Sequence, residues 1–277
     1  MSMKEALENC TKVLHVEEQT PPEGYEGKVN LVKFCYESDG CQVYGYAAEP
    51  TTMEEKLPVV IFNRGGNREF SLLQPEVICR YAGQGFLALG SQYRGNGGGT
   101  GQEQFGGEDV NDVLHLIDIA LQLPRAKKGG VYMAGHSRGG MMTYRCCAID
   151  KRIVAAAVSS GVADCVDMYH KREDEMKQVF HELVGGTPGQ LPEEYKKRSA
   201  VCWADKIMPP ILISHGTADW RVDVCQAKEM DSKLEQYGKE HRLDLYEGFG
   251  HPLKGTGFFK NNVAWFKEHP ISDEANA

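Results

Sequence analysis

Three residues of this sequence, Ser137, Asp219 and His251, have the types and settings needed for nucleophilic attack on a carbonyl carbon. Ser137 lies in Val131-Tyr132-Met133-Ala134-Gly135-His136-Ser137-Arg138-Gly139-Gly140-Met141, which reads as a short apolar strand, a glycine-crowded turn and a helix start. A turn this sharp strains the backbone of the residue at its tip. Side chains two positions to either side would collide, so Gly135 and Gly139 belong there. The helix from Arg138 would direct its free N–H groups and positive dipole end at the serine oxygen, where negative charge develops. A serine hydroxyl is a poor nucleophile near neutral pH and needs a base to take its proton and an acid to orient that base. The strand Ile211-Leu212-Ile213-Ser214 runs into His215-Gly216-Thr217-Ala218-Asp219, placing Asp219 on the loop that leaves it. In the same way Leu243-Asp244-Leu245-Tyr246 runs into Glu247-Gly248-Phe249-Gly250-His251-Pro252.

Of nine histidines, only His251 combines the strand, the glycine loop and a place after Asp219. His136 is expected to point away from the nucleophile, His215 to pack or bond to backbone, and His115 to sit within an amphipathic helix. Asp223 is the rival acid, but Asp219 directly follows the first turn of its loop. The oxyanion formed on attack must be held by preorganised backbone N–H groups. Arg138 N–H supplies one. The second is expected from Asn63-Arg64-Gly65-Gly66-Asn67, where paired glycines let the backbone approach a ligand, with Gly66 preferred over Gly65. Trp220, next to Asp219, and Tyr169 are candidates for substrate contact.

The elements that must carry these residues follow from hydrophobic periodicity. Segments 29–37 and 41–49 alternate apolar and polar residues around Ser38-Asp39-Gly40 and predict an antiparallel hairpin. The continuous apolar run 57–62 predicts a strand buried on both faces. Strands and helices then alternate: helix 72–82, strand 86–90, helix 109–123, the strand before Ser137, the helix after it, strands 153–158 and 211–214, helix 225–237, strand 243–246 and helix 258–267. This pattern predicts an α/β fold, a mostly parallel sheet of about eight strands with helices on both faces and the site beyond the strands' carboxyl ends. The long segment 160–206 contains helical stretches over 166–183 and is expected to form a helical cap. Tyr169, Phe180 and Trp203 either line its underside or anchor its core. Residues 1–24 read as an N-terminal appendage, and the whole of 1–277 as a single domain.

The hydrophobic fraction of 41% and the charged fraction of 25% are those of an ordinary globular protein. A net charge of −8 without a basic face argues against a nucleic-acid partner. No apolar run is long enough to span a bilayer and no signal peptide is evident, so no membrane partner is expected and the chain is placed in the cytoplasm. Nine cysteines without a Cys-x-x-Cys pair fit that compartment, with Cys146 and Cys147 expected to pack as core hydrophobes. No metal-ligand spacing occurs, and the glycine run 95–101 lacks the spacing of a nucleotide loop. Arg94 could brace that loop through Asp109 or Asp112, as an exposed pair of little energetic value.

Taken together, Arg64-Gly65-Gly66, Gln92-Tyr93-Arg94-Gly95-Asn96-Gly97-Gly98, Phe105-Gly106-Gly107-Glu108-Asp109-Val110-Asn111-Asp112, Gly135-His136-Ser137-Arg138-Gly139-Gly140 and His215-Gly216-Thr217-Ala218-Asp219 resemble the catalytic domain of prolyl oligopeptidase-type serine hydrolases. The resemblance runs from about Val59 to the last helix. It implies an α/β-hydrolase fold and an acyl-enzyme, and it carries Ser137, Asp219 and His251 over as the triad in the chain order of that fold, with no cofactor. Two departures stand out. The family's peptidases usually carry an N-terminal β-propeller, for which this chain has no room. Many members also read His-Gly-Gly-Pro where this sequence has Arg64-Gly65-Gly66-Asn67. Without a propeller, a small carboxylic ester ranks slightly ahead of a short peptide as substrate. A catalytically silent binding protein would require a missing triad member, and all three are present. The sequence leaves the oligomeric state open.

Overall fold

Asp39 and Gly40 close the first hairpin with both residues in the left-handed region, φ 50° and 78°. That combination lets a two-residue turn follow the twist of its strands. The strands it joins, β2 (Val29–Ser38) and β3 (Cys41–Pro50), pair antiparallel from Val29 opposite Pro50 to Ser38 opposite Cys41. The computed structural model describes residues 1–51 and 56–273. They form two compact units: one of residues 1–103, 111–133 and the segment from 270, the other of 104–110 and 134–269.

In the first unit the strands lie in the order β1 (Val13–Gln19), β2, β3, β5 (Leu87–Ser91), β4 (Leu57–Asn63) and β6 (Ala126–His136). β4 (Leu57–Asn63) and β5 (Leu87–Ser91) are parallel and joined through α2 (Pro75–Ala82), whose first position is a proline that needs no hydrogen-bond partner there. Val59, Val60 and Ile61 are all fully buried, as a strand covered on both faces requires. α3 (Val110–Gln122) leads into β6 (Ala126–His136).

Residues 1–24 are not a loose appendage. After the short helix α1 (Met3–Glu8), Val13–Gln19 forms β1, antiparallel to β2, which raises the strand count from the expected eight to nine. Only Val16 of its seven residues is buried, so this edge strand shows too little alternation to be read from sequence. The Arg94 brace also differs from expectation. Its partner Asp112 is fully buried, with Arg94 Nη2 2.7 Å from Asp112 Oδ1 and 2.8 Å from Asp39 Oδ2. Breaking a buried pair of this kind leaves an uncompensated charge and costs far more than an exposed pair would.

In the second unit the end of β6 is followed in the sheet by β7 (Ile153–Ser159), β8 (Ile211–Gly216) and β9 (His241–Tyr246). β7 (Ile153–Ser159), β8 (Ile211–Gly216) and β9 (His241–Tyr246) are parallel, with Ser159 opposite Ser214 and Gly216 opposite Tyr246. Their carboxyl ends therefore lie side by side, and each continues into a loop. α4 (Arg138–Ile149) follows β6, α8 (Val224–Gln236) follows β8, and α9 (Phe258–Glu268) follows β9. Segment 160–206 holds three α-helices, α5 (Cys165–Lys171), α6 (Asp174–Leu183) and α7 (Pro192–Lys197). Phe180 is fully buried there, its ring 4.9 Å from Phe105 and 5.7 Å from Tyr195, which makes it a core anchor. No described helix is long and apolar enough to cross a membrane.

Candidate active site

Ser137 sits between β6 and α4 with φ 58° and ψ −123°, a conformation that a non-glycine residue adopts only under constraint. The constraint comes from packing behind it. A side chain at Gly135 would collide with the Gly139 carbonyl oxygen and with Thr143 Oγ1. One at Gly140 would stand 2.6 Å from the Cα of Gly161. The strand end and the first turn of α4 can approach only because these positions lack side chains. Gly135→Ala is therefore expected to lower stability by at least about 2 kcal/mol, because a backbone oxygen cannot swing aside as a side chain can. Urea unfolding measures this; a midpoint equal to wild type would mean that the turn has slack the packing does not show.

His251 and Asp219 meet as their chain positions predict. The His251 Nδ1–H donates to Asp219 Oδ2 at 2.8 Å, and both residues are buried. Asp219 Oδ1 accepts the backbone N–H groups of Arg221 and Val222 at 2.9 and 3.1 Å. Burial alone would raise the Asp219 carboxyl, but hydrogen bonds from His215 and His251 outweigh it and hold the group well below the usual carboxylate range. The two loops are zippered together. Thr217 N–H donates to Tyr246 O at 3.0 Å, Ala218 N–H to Phe249 O at 3.0 Å, and Gly248 N–H to Thr217 Oγ1 at 2.9 Å. A side chain at Gly216 would collide with the Phe249 carbonyl and stand 2.8 Å from that of Gly250, so this glycine lets the His251 loop pass close to the Asp219 loop.

The rival residues have other work. Asp223 caps α8 through the Cys225 N–H at 2.8 Å and lies 3.6 Å from Lys171 Nζ. His215 Nε2–H donates to Val222 O at 2.9 Å, the backbone bond expected of it, and also lies 3.4 Å from Asp219 Oδ2. His136 packs on His251. Its ring lies 4.7 Å from the His251 ring, packed against it, and its Nδ1 is 3.2 Å from Ser159 Oγ. Burial, followed by the nearby His251, pushes the His136 pKa down to about 3, so this ring stays neutral throughout the neutral range.

Residues 75–270 match the model of the prolyl oligopeptidase family. The chain belongs to the prolyl oligopeptidase family. It is accordingly a serine hydrolase, and its nine-stranded α/β architecture is the α/β-hydrolase fold. It is 33% identical over 244 residues to the uncharacterized peptidase YtmA of Bacillus subtilis, covering 86% of this chain and 94% of that one. Among solved structures it is similar to the acylaminoacyl peptidase of Pyrococcus horikoshii, with a TM-score of 0.76 at 22% identity, 88% of this chain matching 42% of that one. It is also similar to the acetyl xylan esterase of Paenibacillus sp. R4, with a TM-score of 0.71 at 16% identity over 96% and 91% of the two chains.

Within this prolyl oligopeptidase-family chain, Arg138 does more than follow the serine. Its buried guanidinium pairs with the buried Asp109 and lies 5.0 Å over the Phe105 ring. Arg198 donates to the carbonyls of Phe105 and Gln104 at 3.1 and 2.9 Å, so segment 104–109 links α4 to the helices of 160–206. In the first unit, the Asn63-Arg64-Gly65-Gly66-Asn67 loop is organised by the buried Arg64, whose guanidinium donates to the carbonyls of Gln92, Gly65 and Arg68 at 3.0 to 3.1 Å. Gly66 is left-handed at φ 70°, and a side chain there would stand 2.6 Å from Ser71 Cβ.

Tyr169 is half-buried, its ring 5.9 Å from Phe180 and 5.8 Å from Tyr195, with its hydroxyl 3.3 Å from His181 Nε2. Trp203 Nε1–H donates to Lys196 O at 2.9 Å. Trp220 is 69% exposed, with the guanidinium groups of Arg221 and Arg172 at 5.1 and 5.8 Å from its ring. Cys146 and Cys147 are fully buried, and burial pushes both thiols far up, which leaves them inert. Sequence reasoning missed the roles of Asp109, Gly140 and Gly216, and the run Ser159-Ser160-Gly161 altogether. The last carried a readable signal: a serine pair and a glycine at the carboxyl end of a buried strand.

Proposed function

We propose that this chain hydrolyses short peptides through an acyl-enzyme on Ser137, with His251 as general base and acid and Asp219 as the residue that orients it. The observation that carries the reading is the 2.8 Å bond from His251 Nδ1–H to Asp219 Oδ2, made by a ring that packs on the residue preceding a strained serine. That bond assigns the Nδ1–H tautomer and leaves Nε2 as the proton acceptor. His251 takes the Ser137 proton as Oγ attacks the carbonyl carbon. The Arg138 N–H, at the start of α4, receives the oxyanion, and Gly66 N–H is retained from the sequence as the second donor. Collapse expels the amine, protonated by His251; water then loses a proton to His251 and attacks the acyl carbon, and as the acyl–Oγ bond breaks His251 returns that proton to Ser137 Oγ and the acid leaves. Every proton in this cycle is carried by the chain, so the reaction as written needs no cofactor.

Peptides rank ahead of esters because the relative matched over 94% of its length is called a peptidase. The ester reading stays second on the even coverage with an acetyl xylan esterase, a likeness of fold. We assign residues 160–206 as a cap, supported by Arg172, at the end of α5, which donates to the Arg221 carbonyl in the Asp219 loop at 3.2 Å. Trp220, exposed beside Asp219, is the better candidate for substrate contact; Tyr169 is engaged with its aromatic neighbours. Nine unpaired cysteines support a reducing, cytoplasmic compartment.

The test is a panel of aminoacyl, N-acylaminoacyl and Xaa-Pro p-nitroanilides beside short-acyl p-nitrophenyl esters. Anilide cleavage with kcat/KM at or above the common enzyme range of about 10⁴ M⁻¹s⁻¹ is expected for at least one peptide class. Cleavage of esters alone would replace the peptidase reading with the esterase one, and turnover of neither would favour a binding protein.

A further inference from the structure

Four residues at the carboxyl end of β7, Ser159-Ser160-Gly161-Val162, bond to the Ser137 turn, to the strand that leads to Asp219 and to the His251 loop. Ser137 N–H donates to Ser159 O at 3.0 Å, and Val162 N–H donates to Ser137 O at 3.2 Å, so the nucleophile's backbone is held from both sides. Ser159 Oγ lies 3.2 Å from the His136 ring. Ser160 N–H donates to Ser214 O at 2.8 Å, on the strand that ends at the Asp219 loop. Finally, Ser160 Oγ donates to the backbone carbonyl of His251 at 2.8 Å, across 91 residues of sequence. Gly161 presses its backbone against Gly140, with no room for a side chain on either.

Ser160 itself is anomalous. It is fully buried and left-handed, φ 47°, next to a glycine. Glycine would hold that backbone at less cost, so a serine there keeps a side chain where the local conformation disfavours one. Among the described residues, that side chain bonds to His251 O alone. His251 stands on a glycine-flanked loop in which Gly248 is left-handed at φ 74°, and such a backbone needs an external anchor to hold an imidazole in place.

We infer that Ser160 is a positioning residue for the reaction: its hydroxyl pins the His251 backbone to the same tetrapeptide that holds the backbone of Ser137, and so sets the base in register with the nucleophile. The inference rests on the proposed roles of Ser137 and His251. It makes Ser160 a contributor to kcat that touches neither substrate nor the reacting atoms. The experiment compares Ser160→Gly, Ser160→Ala and Ser160→Cys with wild type, measuring kcat, KM and the thermal midpoint on the best substrate, with Ser137→Ala alongside. Glycine and alanine are expected to lower kcat equally, by about tenfold to a hundredfold, with KM within twofold, since a misplacement well under 1 Å suffices for such a loss. The glycine variant should be the more stable of the two, and cysteine, a weak donor of similar size, should fall between serine and alanine in kcat. Wild-type kcat in Ser160→Gly, or a kcat order that follows the thermal midpoints in place of the donor strength, overturns the inference. If Ser137→Ala retains turnover, the catalytic reading fails, and this inference with it.

Discussion

Ser137→Ala is expected to reduce kcat by about a million-fold while leaving unfolding by urea within about 0.5 kcal/mol of wild type. The size of the loss follows from the division of labour in the site. With Oγ gone, His251 and Asp219 have no nucleophile to activate, so their contributions vanish together with that of the serine. The small effect on stability follows from the residue's setting. Ser137 is half-buried, and its left-handed backbone is held by Ser159 O, Val162 N–H and Gly140 N–H, none of which needs the hydroxyl. A phosphonylating reagent should label Ser137 in the wild type and nothing in the variant. Turnover within tenfold of wild type would show that another residue is the nucleophile.

Asp219→Asn is expected to lower kcat by about 10⁴-fold, nearly as large an effect from a change of one atom. Asparagine fits the same space, but its amide can donate to His251 Nδ1, which then keeps its proton on Nε2, the wrong nitrogen for a base. The substitution also changes the dependence of stability on pH. The Asp219 carboxyl is held below its ordinary range by His215 and His251, so in the wild type it binds fewer protons folded than unfolded. The stability it contributes is fully present above the unfolded carboxylate value near 3.9 and is lost as pH falls below it toward the lower folded value. The stability gap between wild type and Asp219→Asn should therefore be constant above about pH 5 and close below about pH 4. Denaturant titrations at pH 3, 4, 5 and 7 measure this. A gap that does not change over that range would mean that the carboxylate is not held by its two histidines.

Much of this was legible in the amino-acid order. The strand-turn-helix around Ser137 could be read because glycine at 135 and apolar residues at 131–134 leave few other conformations. Asp219 and His251 could be read because each follows a buried apolar strand through a glycine loop. β1 could not: an edge strand with one buried residue of seven has no periodicity to find. Arg94 and Asp112 were legible as partners, but their burial was not, since burial depends on Tyr36 and Ser38 of β2, which bond to Asp112 from more than seventy residues away. Arg138 and Asp109 were both visible in the sequence, yet only the fold makes them an ion pair.

The sequence by itself determined the proposed chemistry: a serine, an acid and a base on strand-end loops, the α/β alternation that lines those ends up, and the likeness to the prolyl oligopeptidase family. These are local properties, because strand burial, glycine turns and side-chain type are written in consecutive residues. Only the tertiary structure decided how these proposed catalytic residues are held. The His136 ring against His251, the Gly216 gap through which the His251 loop passes and the Ser160 hydroxyl on the His251 carbonyl all join residues 30 to 120 positions apart. Their partners are chosen by strand order and register, which depend on the packing of the whole sheet and appear in no short stretch of sequence.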